Sequence, residues 1–335
     1  MVTMKKKIVT FGEIMLRLSA PGFARFTQAE SFDAMYAGSE ANVAVSMRNF
    51  GFEAAHVTRF PSNDLGKAAT QTLQRNGVDT RHVLYGDERM GLYFLENGAM
   101  QRSSRIIYDR FDSAFAHIAP GSVDWDSIMK DAAWFHWTGI TPAISEGAAT
   151  VCREALVSAR KHGVMISGDI NYRRNLWQYG KTARDIMPEL IQLTDRVVAG
   201  ITDFENCIGV GGKTFEEVSH HAMKQYPNIQ KVSCTYRESI SSSHNNVSAV
   251  IWNGKTLSTS KTYALTHIVD RVGGGDAFMA GLIYGWLTGK TDEQTVEFAA
   301  AATALKHSIE GDVNLVSVEE VETLMKGENI GKLLR

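Results

Sequence analysis

Cysteine is scarce in this 335-residue chain: Cys152, Cys207 and Cys234 lie far apart and form no Cys-x-x-Cys pair. That argues against a disulfide framework or a thiolate metal site, and leaves reduced structural thiols of the kind expected in a cytoplasmic protein. Charge of one sign is also lacking, since 35 basic and 37 acidic residues leave a formal net charge of −2. There is therefore no electrostatic case for nucleic acid or an anionic membrane. No uninterrupted apolar run is long enough to span a bilayer. Residues 1–7 carry three lysines, but the chain turns polar again too soon after them for a signal peptide. The ten histidines show no metal-ligand spacing.

Two nucleotide motifs are missing as well. The stretch Gly209-Val210-Gly211-Gly212-Lys213-Thr214 invites a phosphate-loop reading, yet that pattern needs glycine at position 207, where Cys207 stands. It is better taken as a turn with Thr214 capping the next helix. No dinucleotide fingerprint follows the first strand, which speaks against a nicotinamide enzyme. There is no internal repeat and no low-complexity linker.

What is present is enough apolar sequence, 44% of residues against 21% charged, for a globular protein with a substantial core. Residues 7–11 predict a short apolar strand, and 14–18 alternate apolar and charged residues as a half-exposed strand does. Residues 20–36 are irregular, and the turn 38–42 leads into a small-residue helix over 43–50. Residues 90–96 and 102–108 predict a hairpin across Asn97-Gly98. From 134 onward strands and helices alternate steadily: strands at 134–137, 164–170, 196–199 and 231–235, and helices at 146–162, 185–193 and 215–225. A second hairpin is expected across Asn253-Gly254. Such alternation implies an α/β fold with a parallel sheet and helices on both faces. The simplest architecture is one domain, 1–335, carrying lid segments at about 12–37 and 88–112.

The most informative stretch is Val269-Asp270-Arg271-Val272-Gly273-Gly274-Gly275-Asp276-Ala277-Phe278, followed by a helix with small residues over 277–287. Glycines let backbone approach a ligand, and the open amides of a helix start favour an anion. A carboxylate is out of place at such a site unless it does other work, such as taking a proton from a hydroxyl that attacks phosphorus. The plain alternative is a glycine turn with Asp276 as helix N-cap, and the local pattern leaves both readings open. Asp169-Ile170-Asn171-Tyr172-Arg173-Arg174 offers a second constellation at a strand end. An arginine there can fork onto a carboxylate or phosphate, or can simply be solvated. Gly38, Asn171 and Asp276 all fall near strand or turn ends, where α/β sheets bind ligands.

The glycine-rich turn, acid and small-residue helix resemble the signature of the ribokinase-like (PfkB) carbohydrate kinases, which usually reads Asp-Thr-x-Gly-Ala-Gly-Asp. Here Arg271 replaces the Thr, and Gly274 replaces the Ala in what reads as a harmless change. Residues 12–18, 38–42, 169–177 and 236–241 further resemble the 2-keto-3-deoxygluconate kinases, in their order and over essentially the whole chain. The resemblance implies a three-layer sandwich with a mostly parallel central sheet and a small β-sheet lid. It implies phosphorylation of 2-keto-3-deoxy-D-gluconate to its 6-phosphate, with ATP and Mg²⁺. It assigns Asp276 as base and the amides of Gly273, Gly274 and Gly275 to the transferring phosphate. Gly38, Tyr93, Tyr108, Arg110, Arg173 and Asp312 would hold substrate, and Asn171, Arg237 and Ser239 would hold ATP. Glu205 would lie near the metal indirectly, although Thr202 stands where an Asn is usual. Plain readings are a half-buried lid aromatic for each tyrosine and a solvated strand charge for Arg110. Pairing of two copies through the lid is implied too. The rivals are a kinase of a neutral sugar such as fructose or ribose, and a catalytically silent sugar-binding protein of the same fold.

Overall fold

Strands made of Ile, Val, Phe and Trp without polar alternation are buried on both faces, which is the mark of a parallel sheet covered by helices. In the computed structural model, which describes residues 7–328, the first strand shows this directly. Ile8, Val9 and Phe11 have no solvent exposure, with Ile8 in one apolar cluster and Val9 and Phe11 in the other. The start of the chain, with two of its three lysines, lies outside the described residues.

The strands run β1 (Lys7–Phe11), β2 (Met15–Ser19), β3 (Asp33–Ala37), β4 (Glu53–Pro61), β5 (Val83–Gly86), β6 (Leu92–Glu96) and β7 (Arg105–Asp109), then β8 (Ala132–Thr138), β9 (Met165–Asp169), β10 (Arg196–Val198), β11 (Lys231–Ser239), β12 (Asn245–Trp252), β13 (Leu257–Thr259) and β14 (Tyr263–Leu265). The helices are α1 (Ser39–Asn49), α2 (Asp64–Arg75), α3 (Trp125–Met129), α4 (Thr141–Ile144), α5 (Glu146–Lys161), α6 (Ala183–Ile191), α7 (Ile201–Ile208), α8 (Phe215–Gln225), α9 (Gly274–Leu287), α10 (Asp292–Lys306) and α11 (Val318–Lys326). The central sheet has the order β13-β12-β11-β10-β9-β8-β1-β4-β5, with β14 beside β12. It is parallel from β11 to β5, and β12 returns antiparallel to β11. One apolar cluster packs α5, α6, α7 and α8 on one face; the other packs α1, α2, α9 and α10 on the opposite face. This is the three-layer α/β sandwich that the sequence implies. No helix among the described residues is long and apolar enough to cross a membrane.

A second sheet of four strands, β3-β2-β6-β7, stands apart from the first. Several local expectations change here. Residues 33–37 form β3 although the text before 37 reads as irregular, because their partner β2 is found only in the folded chain. The hairpin of β6 and β7 exists but is shorter and wider than expected, with Tyr93 opposite Tyr108. On β2 the buried side carries Met15, Arg17 and Ser19, while Leu16 and Leu18 are half-buried. The charged member of the alternation thus points inward. The helices at both glycine turns also start earlier than expected, at Ser39 and Gly274, and 201–208 form an unanticipated helix.

Helices α9 and α10 are small-residue helices that press their backbones together. A Cβ on Gly281 would come within 2.5 Å of the Ala299 Cα, and one on Gly285 within 2.6 Å of the Thr295 side chain. Overpacking of this kind costs about 1–3 kcal/mol, whereas Ala in place of Gly gains up to about 1 kcal/mol of helix propensity. Gly281→Ala is therefore expected to lower the urea midpoint despite being the better helix former. A raised midpoint would mean that the two helices can move apart.

Candidate active site

The signature loop takes its shape from what lies under it. Gly273 caps α9 with φ +83°, and a Cβ there would sit 1.8 Å from the Asp312 carbonyl oxygen, so glycine is required on two counts. At Gly274 a Cβ would meet the His307 ring at 2.7 Å, so the Ala usual in the family would require that ring to shift here. Gly275 faces open space. With Gly273 as cap, the amides of Gly274, Gly275 and Asp276 belong to the first turn, where no intrahelical partner exists. All four residues line one cavity of about 370 Å³.

Asp276 is not the N-cap. It lies in the first turn, and its carboxylate accepts hydrogen bonds from Ser39 Oγ at 2.5 Å and Asn42 Nδ2 at 2.7 Å, both on α1. Burial pushes its pKa up to about 6, against the pull of those two donors. Two further carboxyls line the cavity in a similar state. Glu40 is pushed up to about 7 by burial, while Thr138 and Thr141 donate to it. Asp169 is pushed up to about 8 by burial and by the neighbouring Asp203 and Asp276, with Arg173 opposing.

The residues expected from the sequence converge to a large degree. Gly38, Tyr93, Tyr108, Arg110, Arg173, Asp312, Asn171, Arg237 and Gly273 to Asp276 all line this cavity. Ser239, exposed near the end of β11, and Glu205, exposed on α7, are not among its lining residues. Gly38 is fixed by contact, since a Cβ would fall 2.0 Å from the Glu13 carbonyl oxygen. Asn171 has φ +39°, a left-handed conformation uncommon for a non-glycine residue, and its amide donates to Asp169 Oδ1.

Two expectations change in kind. Arg110 is not a solvated strand charge: it is 4% exposed and paired with Glu13, with Nε to Oε2 at 2.8 Å. Tyr93 is not half-buried but 4% exposed, and it donates its hydroxyl to Asp312. Tyr108, across the sheet from it, is 48% exposed. The residue pattern also gives no role to several groups that the structure brings in. Arg17, 1% exposed, binds Asp270 at 2.6 Å, Ser19 Oγ at 2.7 Å, and Asp312. Its Leu-Arg-Leu setting on an alternating strand is the one available signal. Arg271 donates to the Ser242 carbonyl at 2.8 Å and lines the cavity with Arg173 and Arg237. None of these three arginines has an ion pair to a carboxylate among the described residues. The cavity thus combines open amides, guanidinium groups without a carboxylate partner and a half-buried carboxylate, a combination suited to a polyanion beside an acidifiable hydroxyl. No group of three His, Cys, Asp or Glu among the described residues could hold a metal by itself.

Comparison with known proteins agrees with this arrangement. Residues 5–317 match the model of the pfkB family carbohydrate kinases. The 2-dehydro-3-deoxygalactonokinase of Haloferax volcanii is 33% identical over 98% of this chain and 99% of its own. The 2-dehydro-3-deoxygluconokinase of Bacillus subtilis is 26% identical over 95% of this chain and 94% of its own. The crystal structure of the 2-dehydro-3-deoxygluconokinase of Thermotoga maritima superposes with a TM-score of 0.92 at 41% identity, covering 96% of this chain and 99% of that one. A match spanning nearly the whole chain, with the signature loop and acid set in one cleft, leads to a single conclusion: this protein belongs to the pfkB family of carbohydrate kinases.

Proposed function

We propose that this kinase transfers the γ-phosphoryl group of ATP to the 6-hydroxyl of a 2-keto-3-deoxy sugar acid, with 2-keto-3-deoxy-D-gluconate as the first candidate. The observation that carries the reading is the pairing of Asp276 with the open first turn of α9 in one cleft. In this mechanism Asp276 takes the hydroxyl proton as the oxygen bonds to the γ-phosphorus and the bond to the β-phosphate oxygen breaks, releasing ADP. The amides of Gly273 to Gly275 face the charge on the transferring group. Asn171 and Arg237 hold the nucleotide, and Ser239 would join them only from the rim. Arg173 takes the sugar-acid carboxylate from the core side, with Gly38 and Tyr108 shaping the pocket. Arg110 has its charge already balanced by Glu13, so it contributes its remaining donors rather than a free charge.

Bound Mg²⁺ would supply neutralisation of phosphate charge. The residues fit it, because Asp169 is a hard oxygen donor in a locally over-negative corner beside Asp203 and Asp276. Glu205, exposed on α7, would face it only through water. The small sheet, serving as a lid, would exclude water as a competing acceptor. Three unpaired cysteines suit a cytoplasmic setting. A relative named 2-dehydro-3-deoxygalactonokinase keeps the C4 epimer as the second candidate.

Four outcomes are expected. With Mg²⁺-ATP, the gluco or galacto keto-deoxy acid should turn over far better than fructose or ribose; preference for a neutral sugar would overturn the substrate class. No turnover on any of them, with ATP still bound in calorimetry, would favour the silent binder. The acid limb of kcat/KM should lie near pH 6, because Asp276 must be ionised to act and is protonated below its raised pKa. Asp276→Asn should lower kcat by roughly 10²–10⁴ while retaining ATP binding; near-normal turnover would remove Asp276 as the base. Arg173→Ala should raise KM for the sugar acid about tenfold or more, and much less for the matching neutral sugar. Equal losses would sink the carboxylate assignment.

Association of two copies through the lid is part of the same proposal. The edge strand β7 exposes Ile106 at 41% and Ile107 at 51%, which is a template for pairing. Ile107→Asp should lower the mass found by sedimentation, and an unchanged mass would place the contact elsewhere.

A further inference from the structure

Lys306 is one of the largest side chains with no solvent exposure, and nothing in the residue pattern singles it out. It is the last residue of α10, and its Nζ donates to the carbonyl oxygens of Asp270 at 3.2 Å and Ile309 at 3.3 Å. Asp270 is the first acid of the signature stretch, and its Oδ1 accepts from the Val272 amide at 3.0 Å, immediately before the glycines. The same helix end holds the loop in other ways. His307 O accepts from the Val269 amide at 2.8 Å, and Thr303 Oγ1 donates to the Gly274 carbonyl at 3.3 Å.

An apolar side chain would fill this space without a desolvation penalty, so burial alone does not explain a lysine. Its charge has a local reason. Lys306 and Arg17 stand with Asp270 and Asp312 in one buried group, two cations against two anions. Burial lowers the Lys306 pKa, while Asp270 and Asp312, and more distantly Asp276, favour its charged form. Asp276 is faced by Ser39, Glu40 and Asn42 from α1, by Asp169 from β9, by Asp312 and by Lys306. The arginines Arg173, Arg237 and Arg271 line the same cavity. Of the charged groups, Asp312 and the other carboxyls disfavour ionisation of Asp276, and Lys306 favours it.

We propose that Lys306 is a positioning residue for phosphoryl transfer: its ammonium, clasped by two backbone carbonyls, is a built-in cation that holds the signature loop in its transfer geometry. The proposal rests on the kinase reading above and adds a residue that never touches substrate. It accounts for a charged group at this spot, and it assigns the charge of Lys306, rather than its bulk, to function.

The test uses the full-length protein and two variants. Lys306→Gln keeps a donor for the carbonyls but removes the charge, and Lys306→Met removes both. Steady-state kinetics are run on the sugar acid that the wild type accepts. Folded Lys306→Gln separates the charge of Lys306 from its packing. Its kcat should fall about tenfold or more while KM for the sugar acid stays within about twofold. Ammonium ion should restore part of the lost kcat in Lys306→Met, and tetramethylammonium, too large for the vacated carbonyl pair, should not. An unchanged kcat in folded Lys306→Gln overturns the proposal. So does a joint loss of kcat and substrate affinity without ammonium rescue, and so does failure of both variants to fold, which would make Lys306 purely structural. Wild-type inactivity toward every sugar acid would sink the substrate reading alone, since Lys306 is then judged on the acceptor that the wild type does phosphorylate.

Discussion

The arrangement depends on one buried ion-pair group. Arg17 reaches from the small sheet and binds Asp270 and Asp312, which come from two different loops of the main body. Ions taken out of water cost several kcal/mol each, and such a pair is tolerated only where every donor and acceptor is used. Here they are used. Arg17 Nε serves Ser19, Asp270 also accepts from the Gly311 amide, and Asp312 also accepts from Tyr93. Geometry this demanding fixes the spacing between the small sheet and the glycine loop. The side of the cleft that would face a sugar and the side that would face phosphate are therefore set by one contact.

Around that group the cleft keeps its charges unequally satisfied. Arg17 and Arg110 are fully paired, whereas Arg173, Arg237 and Arg271 are not. Burial pushes the pKa values of Glu40, Asp169 and Asp276 up toward neutrality, helped at Asp169 by the neighbouring Asp203 and Asp276. Such a site is poorly balanced when empty and is better balanced by a phosphate chain and its cation. Stability has been set aside locally where chemistry needs the imbalance.

Much of this was legible from residue order. The apolar strands, the alternation after residue 134 and the Thr214 cap follow from local rules, and the observed elements agree closely with them. The signature stretch suggested an anion site, but a glycine turn capped by an acid reads the same way locally, and only the family resemblance tipped the balance. The exact start of α9 was not legible, since glycine is a weak signal in either direction. Nor was the burial of Arg17, Arg110 and Lys306. A charged side chain reads as solvated unless its partner is known, and those partners lie 253, 97 and 36 residues away in sequence. The strand β3 was hidden for the same reason, because its pairing rather than its own composition makes it a strand.

The small sheet has a further consequence through its pairing. Strands β2 and β6 are parallel neighbours, Leu16 opposite Leu92, and the chain between them forms β3, α1, β4, α2 and β5 before it returns. Closing so long a loop has an entropic cost that is recovered only after the intervening elements are in place. The sheet is thus expected to assemble late in folding and to be absent from partly folded states. Those states would carry the glycine turn but not the opposite wall of the cleft. Any ligand that touches both walls will then add its binding free energy to the complete native state and to no earlier one.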